Sequence, residues 1–153
     1  MMKKSLIATL ALLALATPLN LVWAETGHDM STMTTGTDTT IMLDAVQQDG
    51  VSAMAHLYDV SENMAKHGMK ETHHMMVMFT DTKDGKPITS GAAAVKVADP
   101  ATGVMSEPKK MMLMGDGFGT DVTVATPGTY TFEVGTKLAD GKRRVFTFTH
   151  TKK

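Results

Sequence analysis

From Ile41 to the C-terminus the sequence breaks into short runs whose apolar and polar residues alternate, separated by pairs of turn-forming residues. The turn signals are Asp49-Gly50, Asp84-Gly85, Asp116-Gly117, Pro127-Gly128 and Asp140-Gly141, with Pro100 in a further connector. The runs are Ile41 to Val46, Val51 to Asp59, His73 to Thr80, Ala92 to Ala98, Pro108 to Met114, Phe118 to Ala125, Thr129 to Thr136 and Lys142 to His150. Alternation with period two puts successive side chains on opposite faces of a strand and does not suit a helix. Only Ser61 to Gly68 reads as helical, with Ser61 as its cap and Gly68 as its terminator. The pattern predicts an all-β fold, an immunoglobulin-like antiparallel β-sandwich of about seven or eight strands. If the hairpin around Gln47-Gln48-Asp49-Gly50 is an extra element, the strands that begin at Val51, His73, Ala92, Pro108, Phe118, Thr129 and Lys142 take the letters A to G. Strands A, B, E and D then share a sheet. Tyr130 stands two residues before Phe132, which occupies the place where an antibody-type domain carries a cysteine.

The segment before this pattern has a different character. Lys3-Lys4, the apolar run Leu6 to Ala16 and Val22-Trp23-Ala24 follow the order of a secretory signal peptide, so residues 1–24 are expected to be removed after Ala24. Residues 25–40, rich in Thr and carrying His28, Met30 and Met33, read as a flexible tail. Residues 41–153 form the β-sandwich domain. Cleavage after Ala24 leaves 129 residues, 13 of the 15 methionines, all six histidines and a net charge of −3. A chain of that charge has no basic stripe for nucleic acid, and the mature chain is expected to hold no membrane span. The signal peptide implies a periplasmic or secreted location. There is no cysteine, so any sulfur ligand must come from methionine. A G-x-S-x-G elbow, an H-E-x-x-H pair and a Gly-rich phosphate loop are also missing, which argues against an enzyme.

Chemistry concentrates between Met64 and Met78, where eight of fifteen residues are His or Met. His-x-Met occurs there as His67/Met69, His73/Met75 and His74/Met76, and again as His28/Met30. At this methionine content six histidines should form less than about one such pair by chance. Residues i and i+2 of a strand lie on one face, about 7 Å apart, so the two heads can converge on one ion. Imidazole and thioether together suit a soft transition metal, Cu(I) before others and silver by the same chemistry, rather than Ca²⁺ or Mg²⁺.

The ligands favoured by this reading are His67, Met69, His73, His74 and Met76. Alternation adds Met54 and His56 on the outward face of their strand, and helical spacing places Met64 beside His67. If Val77 and Phe79 point inward, then His74, Met76 and Met78 point outward with Met54 and His56, and Met112 and Met114 lie two strands away on the same surface. The segment from Met64 to Met69 would fold over that surface and close it. Met42, Met75 and Met111 are expected in the core, Met105 in a loop, and Lys109-Lys110 and Arg143-Arg144 at solvated or edge positions.

The turn Asp84-Gly85-Lys86-Pro87-Ile88, the run Pro127-Gly128-Thr129-Tyr130-Thr131-Phe132 and the closing Asp140-Gly141 turn make residues 72–150 resemble the YtkA-like or FixH-like small domains of bacterial envelopes. That resemblance implies an immunoglobulin-like sandwich. The His-x-Met pairs resemble those of the periplasmic PCuAC copper chaperones, which implies histidine and methionine as Cu(I) ligands. The spacing departs from theirs, since Val51, Ser52 and Ala45 stand where a methionine upstream of His73, His74 and His67 would be required. Two functions remain open at this point. One is a copper-binding or copper-chaperoning protein working beside an envelope metal pump or oxidase. The other is a structural or partner-binding module whose methionines pack or dock.

Overall fold

The computed structural model describes residues 39–153, so the expected signal peptide and nearly all of the expected tail lie outside the described residues. The chain runs through β1 (Thr40–Met42), β2 (Val46–Gln48), β3 (Val51–Asp59), α1 (Ser61–Lys66), β4 (His73–Asp81), β5 (Gly91–Ala98), β6 (Lys109–Met114), β7 (Gly117–Val122), β8 (Gly128–Leu138) and β9 (Arg143–Lys152). No helix among the described residues is long and apolar enough to cross a membrane.

All pairings are antiparallel, and the strand order is β1-β3-β4-β7-β6-β5-β8-β9, with β2 also on β3. Strands β3, β4, β7 and β6 are the expected A, B, E and D in that order, and β5, β8 and β9 are C, F and G. Strand β6 departs from the simple scheme. Its first half, Lys109 to Met111, pairs with β5, whereas Met112 to Met114 pair with β7. The two sheets are therefore joined along one side into a single curled sheet.

Alternation decides what fills the space between the layers. Ala53, Ala55 and Leu57 on β3, Met75, Val77 and Phe79 on β4, and Phe132, Val134, Phe146 and Phe148 on β8 and β9 are buried. Phe79 reaches across to Phe146, with ring centroids 5.3 Å apart, and meets Phe118 of its own sheet at 5.8 Å. Met75 and Met111 fill core positions as expected. Tyr130 is buried too. Its hydroxyl accepts from the Thr126 N–H at 2.9 Å and donates to the Thr126 carbonyl at 3.1 Å, the arrangement of a tyrosine corner at the start of this strand.

Three local features differ from expectation. The strand before Val51 is broken. Met42 pairs with His56 but Val46 pairs with Ala53, so residues 43–45 face only two residues of β3. This bulge lets Leu43 and Val46 both turn inward, although strict alternation would put them on opposite faces. The turn that follows is only Asp49-Gly50, with φ of 44° and 77°, a two-residue geometry that needs residues tolerant of the left-handed region. The helix begins after Val60, and Ser61 is not its cap; instead the Asp59 carboxylate accepts from the Ser61 N–H at 2.8 Å. Gly68 does end it, at φ 70°, with its N–H bonded to Ala65 and that of Met69 to Met64.

Arg144 stands on an edge strand, as one of the two expected alternatives had it, but it is not solvated. It lies on β9 with its side chain only 2% exposed. The guanidinium donates to both carboxylate oxygens of Asp140, at 3.1 and 2.6 Å, and to the Asp49 carbonyl at 3.1 Å, tying the β8–β9 turn to the β2–β3 turn. A bidentate guanidinium and the Lys142 N–H hold the Asp140 carboxyl down to about 2. A depressed carboxyl stabilises the fold above its unfolded value of 3.8, and that stabilisation disappears as pH falls toward about 2. Asp140→Asn should therefore lower the melting temperature at neutral pH, and the wild-type and variant curves should converge in calorimetry as pH drops through that window.

Candidate metal centre

The register of the first sheet sorts the side chains of its outer face into rows. One row runs Thr40, Tyr58, His74 and Asp121. The next runs Met42, His56, Met76, Gly119 and Met112, and the third Met54, Met78, Gly117 and Met114. Val77 and Phe79 are buried on the other side, so the outward arrangement of His74, Met76 and Met78 with Met54 and His56 is as the alternation required. Six methionines and two histidines thus share this face.

Gly117 and Gly119 make the middle of that face a trough. Both are buried even though they belong to the outer rows, because neighbouring side chains lie over them. A Cβ added to Gly119 would stand 2.6 Å from His74 Nε2 and 3.0 Å from Met114 Sδ. One added to Gly117 would stand 3.1 Å from Met76 Sδ and 3.2 Å from Met78 Cγ. The imidazole of His74 and the thioether of Met114 therefore converge on the space left by one missing side chain.

The His74 ring is held from behind. Its Nδ1 lies 2.7 Å from Asp121 Oδ1. A carboxylate only accepts, so the neutral ring carries its proton on Nδ1 and presents the lone pair on Nε2 toward Gly119. A carboxylate behind an imidazole is also the partner that orients histidine ligands in metal sites. His56 is backed differently, by the Tyr58 hydroxyl at 3.3 Å from Nδ1. Its Nε2 is buried and has no hydrogen-bond partner. Leaving such an atom unpaired costs about 1–3 kcal/mol, and the cross-strand neighbours of His56 are Met42 and Met76.

Among the described residues no three side chains of His, Asp or Glu converge as a metal-holding group, and the side chains beside these imidazoles on the outer face include the thioethers of Met42, Met76 and Met114. That donor set fits a soft ion and fits a hard one poorly.

Other expected ligands lie elsewhere. His73 is on the inward face of β4 and 7% exposed, with Nδ1 2.8 Å from Thr72 Oγ1. Burial pushes its imidazole below the ordinary value, against the pull of Asp59 and with help from Lys152 and His150. Period-two geometry puts it on the opposite side of the sheet from His74, so the two adjacent histidines cannot serve one ion there. His67 and Met69 are exposed in the connection between α1 and β4, and Met64 is half-buried on α1. That connection is pinned at the end of the sheet, by Val60 to Thr72, Thr72 to Val122 and Lys109 to Glu71. None of these bonds draws it over the row of His56 and Met76.

Met42, expected in the core, is 67% exposed, because the bulge after it lets Leu43 and Val46 take the inward places. Gly117, Gly119, Asp121 and Tyr58 are the members that residue type alone did not single out. The alternating Gly117-Phe118-Gly119 was a signal for them, but Gly117 reads in sequence as half of an Asp-Gly turn. The turn actually uses Gly115, at φ 60°, and Gly117 opens β7.

The fold has solved counterparts. FetP of uropathogenic Escherichia coli strain F11, as isolated after recombinant expression in the periplasm of E. coli BL21(DE3), matches with a TM-score of 0.56 at 10% identity over 74% of this chain and 95% of FetP. A copper-bound variant of FetP matches with a TM-score of 0.58 at 11% identity, over 74% of this chain and 92% of the other. At that identity the likeness is one of fold. No protein-family model and no curated protein sequence matches the chain.

Gly119→Ala separates packing from binding on this face. The atoms it would crowd are the free ends of His74 and Met114, which can move, and alanine in a strand interior is favoured over glycine by about 0.5–1 kcal/mol. The expected result is an unchanged or slightly raised melting temperature, with a displaced His74 ring seen as a change in its imidazole ¹⁵N shifts and Ag(I) affinity reduced by about tenfold or more, the scale of an outer-shell defect.

Proposed function

We propose that this chain is an envelope protein that carries a soft metal ion, Cu(I) first and Ag(I) by the same chemistry, on the outer face of its first sheet. The observation that carries this reading is the buried, unpartnered Nε2 of His56 in a row of thioethers. A face built only for packing gains nothing from a desolvated imidazole nitrogen. A soft cation would bond to it through the lone pair left free when Nδ1 donates to Tyr58. His56, His74, Met76 and Met114 are the proposed ligands, Met54, Met78, Met42 and Met112 the surrounding sulfur, and Asp121 and Tyr58 the groups that orient the two rings. His67, Met69 and Met64 stand apart from this set as a capture point at the end of the sheet.

The copper-bound state of FetP, a protein of the same fold, supports copper as the cargo. The periplasmic expression of FetP and the signal-peptide pattern of residues 1–24 support an envelope location. The resemblances to YtkA-like domains and to PCuAC chaperones belong to the same proposal. So does an envelope metal pump or oxidase as the recipient. The role proposed for the site is carriage of the ion.

A second reading has its own observation. Met42, Met112 and Met114 are 67%, 60% and 47% exposed on the outer face, apolar surface that also suits docking to a protein partner. Competition titration with a Cu(I) chelator decides between the two. On the metal reading, His56→Ala and His74→Ala each lower affinity by about tenfold or more, whereas His73→Ala lowers stability and leaves affinity unchanged. Equal affinity for wild type and the His56/His74 double variant would leave only the docking module.

A further inference from the structure

The proposed ligand sulfurs differ in exposure from the core sulfurs of the same chain. Met114 is 47% exposed although its Sδ lies at the Gly119 trough with His74 Nε2, and Met112, Met54 and Met42 are exposed on the same face. Met75 and Met111 are buried at 0% and 2%. An oxidant in solution therefore meets the metal face before it meets the core. Resting on the metal-carrying reading above, we propose that Met114 is a site of reversible oxidation to the sulfoxide, through which a peroxide discharges the metal ion from this face.

The step is an oxygen-atom transfer. A lone pair on Met114 Sδ attacks one oxygen of hydrogen peroxide and the O–O bond breaks. The departing hydroxide takes the proton of the transferred OH, leaving methionine sulfoxide and water. Sulfur gives up two electrons and peroxide gains them. The product is reducible by sulfoxide reductases, so the modification is not terminal.

Two features of the site turn that modification into release. A sulfoxide offers a hard oxygen where the ion was held by a soft thioether, and Cu(I) or Ag(I) is bound less well. The trough is also too tight for the new oxygen, since even a methyl-sized Cβ on Gly119 would stand 3.0 Å from Met114 Sδ and 2.6 Å from His74 Nε2. Asp121 keeps the His74 proton on Nδ1, so Nε2 faces the sulfoxide oxygen lone pair to lone pair. Oxidised Met114 swings out of the trough and the two ligands no longer converge. Met112, Met54 and Met42 react as well, but the release proposed here follows from the His74–Met114 pair, whose heads converge on the space over Gly119.

The test uses the purified chain, hydrogen peroxide, peptide mass mapping and Ag(I), which binds like Cu(I) without redox cycling against peroxide. Met114 should gain one oxygen along with Met112, Met54 and Met42, while Met75 and Met111 stay unmodified. Ag(I) affinity should fall by about tenfold or more, the scale of a damaged ligand shell, and return after treatment with methionine sulfoxide reductases. In a Met114→Leu variant, whose Ag(I) affinity starts lower for want of that thioether, peroxide should cause no further fall. An unmodified Met114, a Met114 sulfoxide with unchanged Ag(I) affinity, or a Met114→Leu variant whose residual affinity falls with peroxide as the wild type's does overturns the proposal and leaves the metal reading standing. Failure of the untreated wild type to bind Ag(I) overturns both.

Discussion

The register of β4 between β3 and β7 is the constraint on which the other features rest. β4 is paired along its whole length to β3 and through six residues to β7, so no side chain on it can change faces without breaking two ladders. A slip by one residue would carry His74, Met76 and Met78 into the core and turn Val77 and Phe79 to solvent. The apolar half of the strand, with Phe79 against Phe118 and Phe146, makes that slip costly. Burial of the inner half therefore holds the outer half in place, and the chemistry of the outer face is stabilised by side chains that take no part in it.

The outer face depends next on a strand that contributes almost no side chains to it. β7 brings two glycines into the middle of the methionine rows, and its neighbours bend over them. Glycine weakens a strand interior, so this arrangement gives up local strand stability to open a trough where an imidazole and thioethers meet. Two residues further along, the same strand supplies Asp121, the one acid in the rows, directly opposite His74. Space and orientation thus come from β7, and donor atoms come from β3, β4 and β6.

The two ends of the sandwich handle polar groups in different ways. At the end holding the β2–β3 and β8–β9 turns, the terminal nitrogens of the buried Arg144 are matched by Asp140 and the Asp49 carbonyl, while its Nε has no partner. On the outer face the His56 Nε2 has no such match. Of the two buried nitrogens without a partner among the described residues, Arg144 Nε and His56 Nε2, only the latter stands between cross-strand thioethers, which is why the proposed site is built on it.

Much of this was legible in the sequence. Alternation is a local property, so the inward set Ala53, Leu57, Val77 and Phe79 and the outward set Met54, His56, His74, Met76 and Met78 followed from strand geometry alone, whereas the order of β3, β4, β7 and β6 came from laying the counted strands onto the immunoglobulin arrangement. The soft-ligand character of the chain was also plain, because without cysteine the sulfur must be methionine. Sequence proximity does not decide which of these side chains stand together. The density of His and Met between residues 64 and 78 drew attention to His67, Met69 and His73, yet neighbours along a strand face opposite ways, and the connection around α1 is tied to the end of the sheet. The true neighbours of His74 are Gly119, Asp121 and Met114, more than forty residues away in the chain and adjacent only through the β4–β7–β6 pairing. Residue type and period determined which atoms this protein can offer to a metal; the cross-strand register, a long-range property set by the burial of the opposite face, decided which of them stand together.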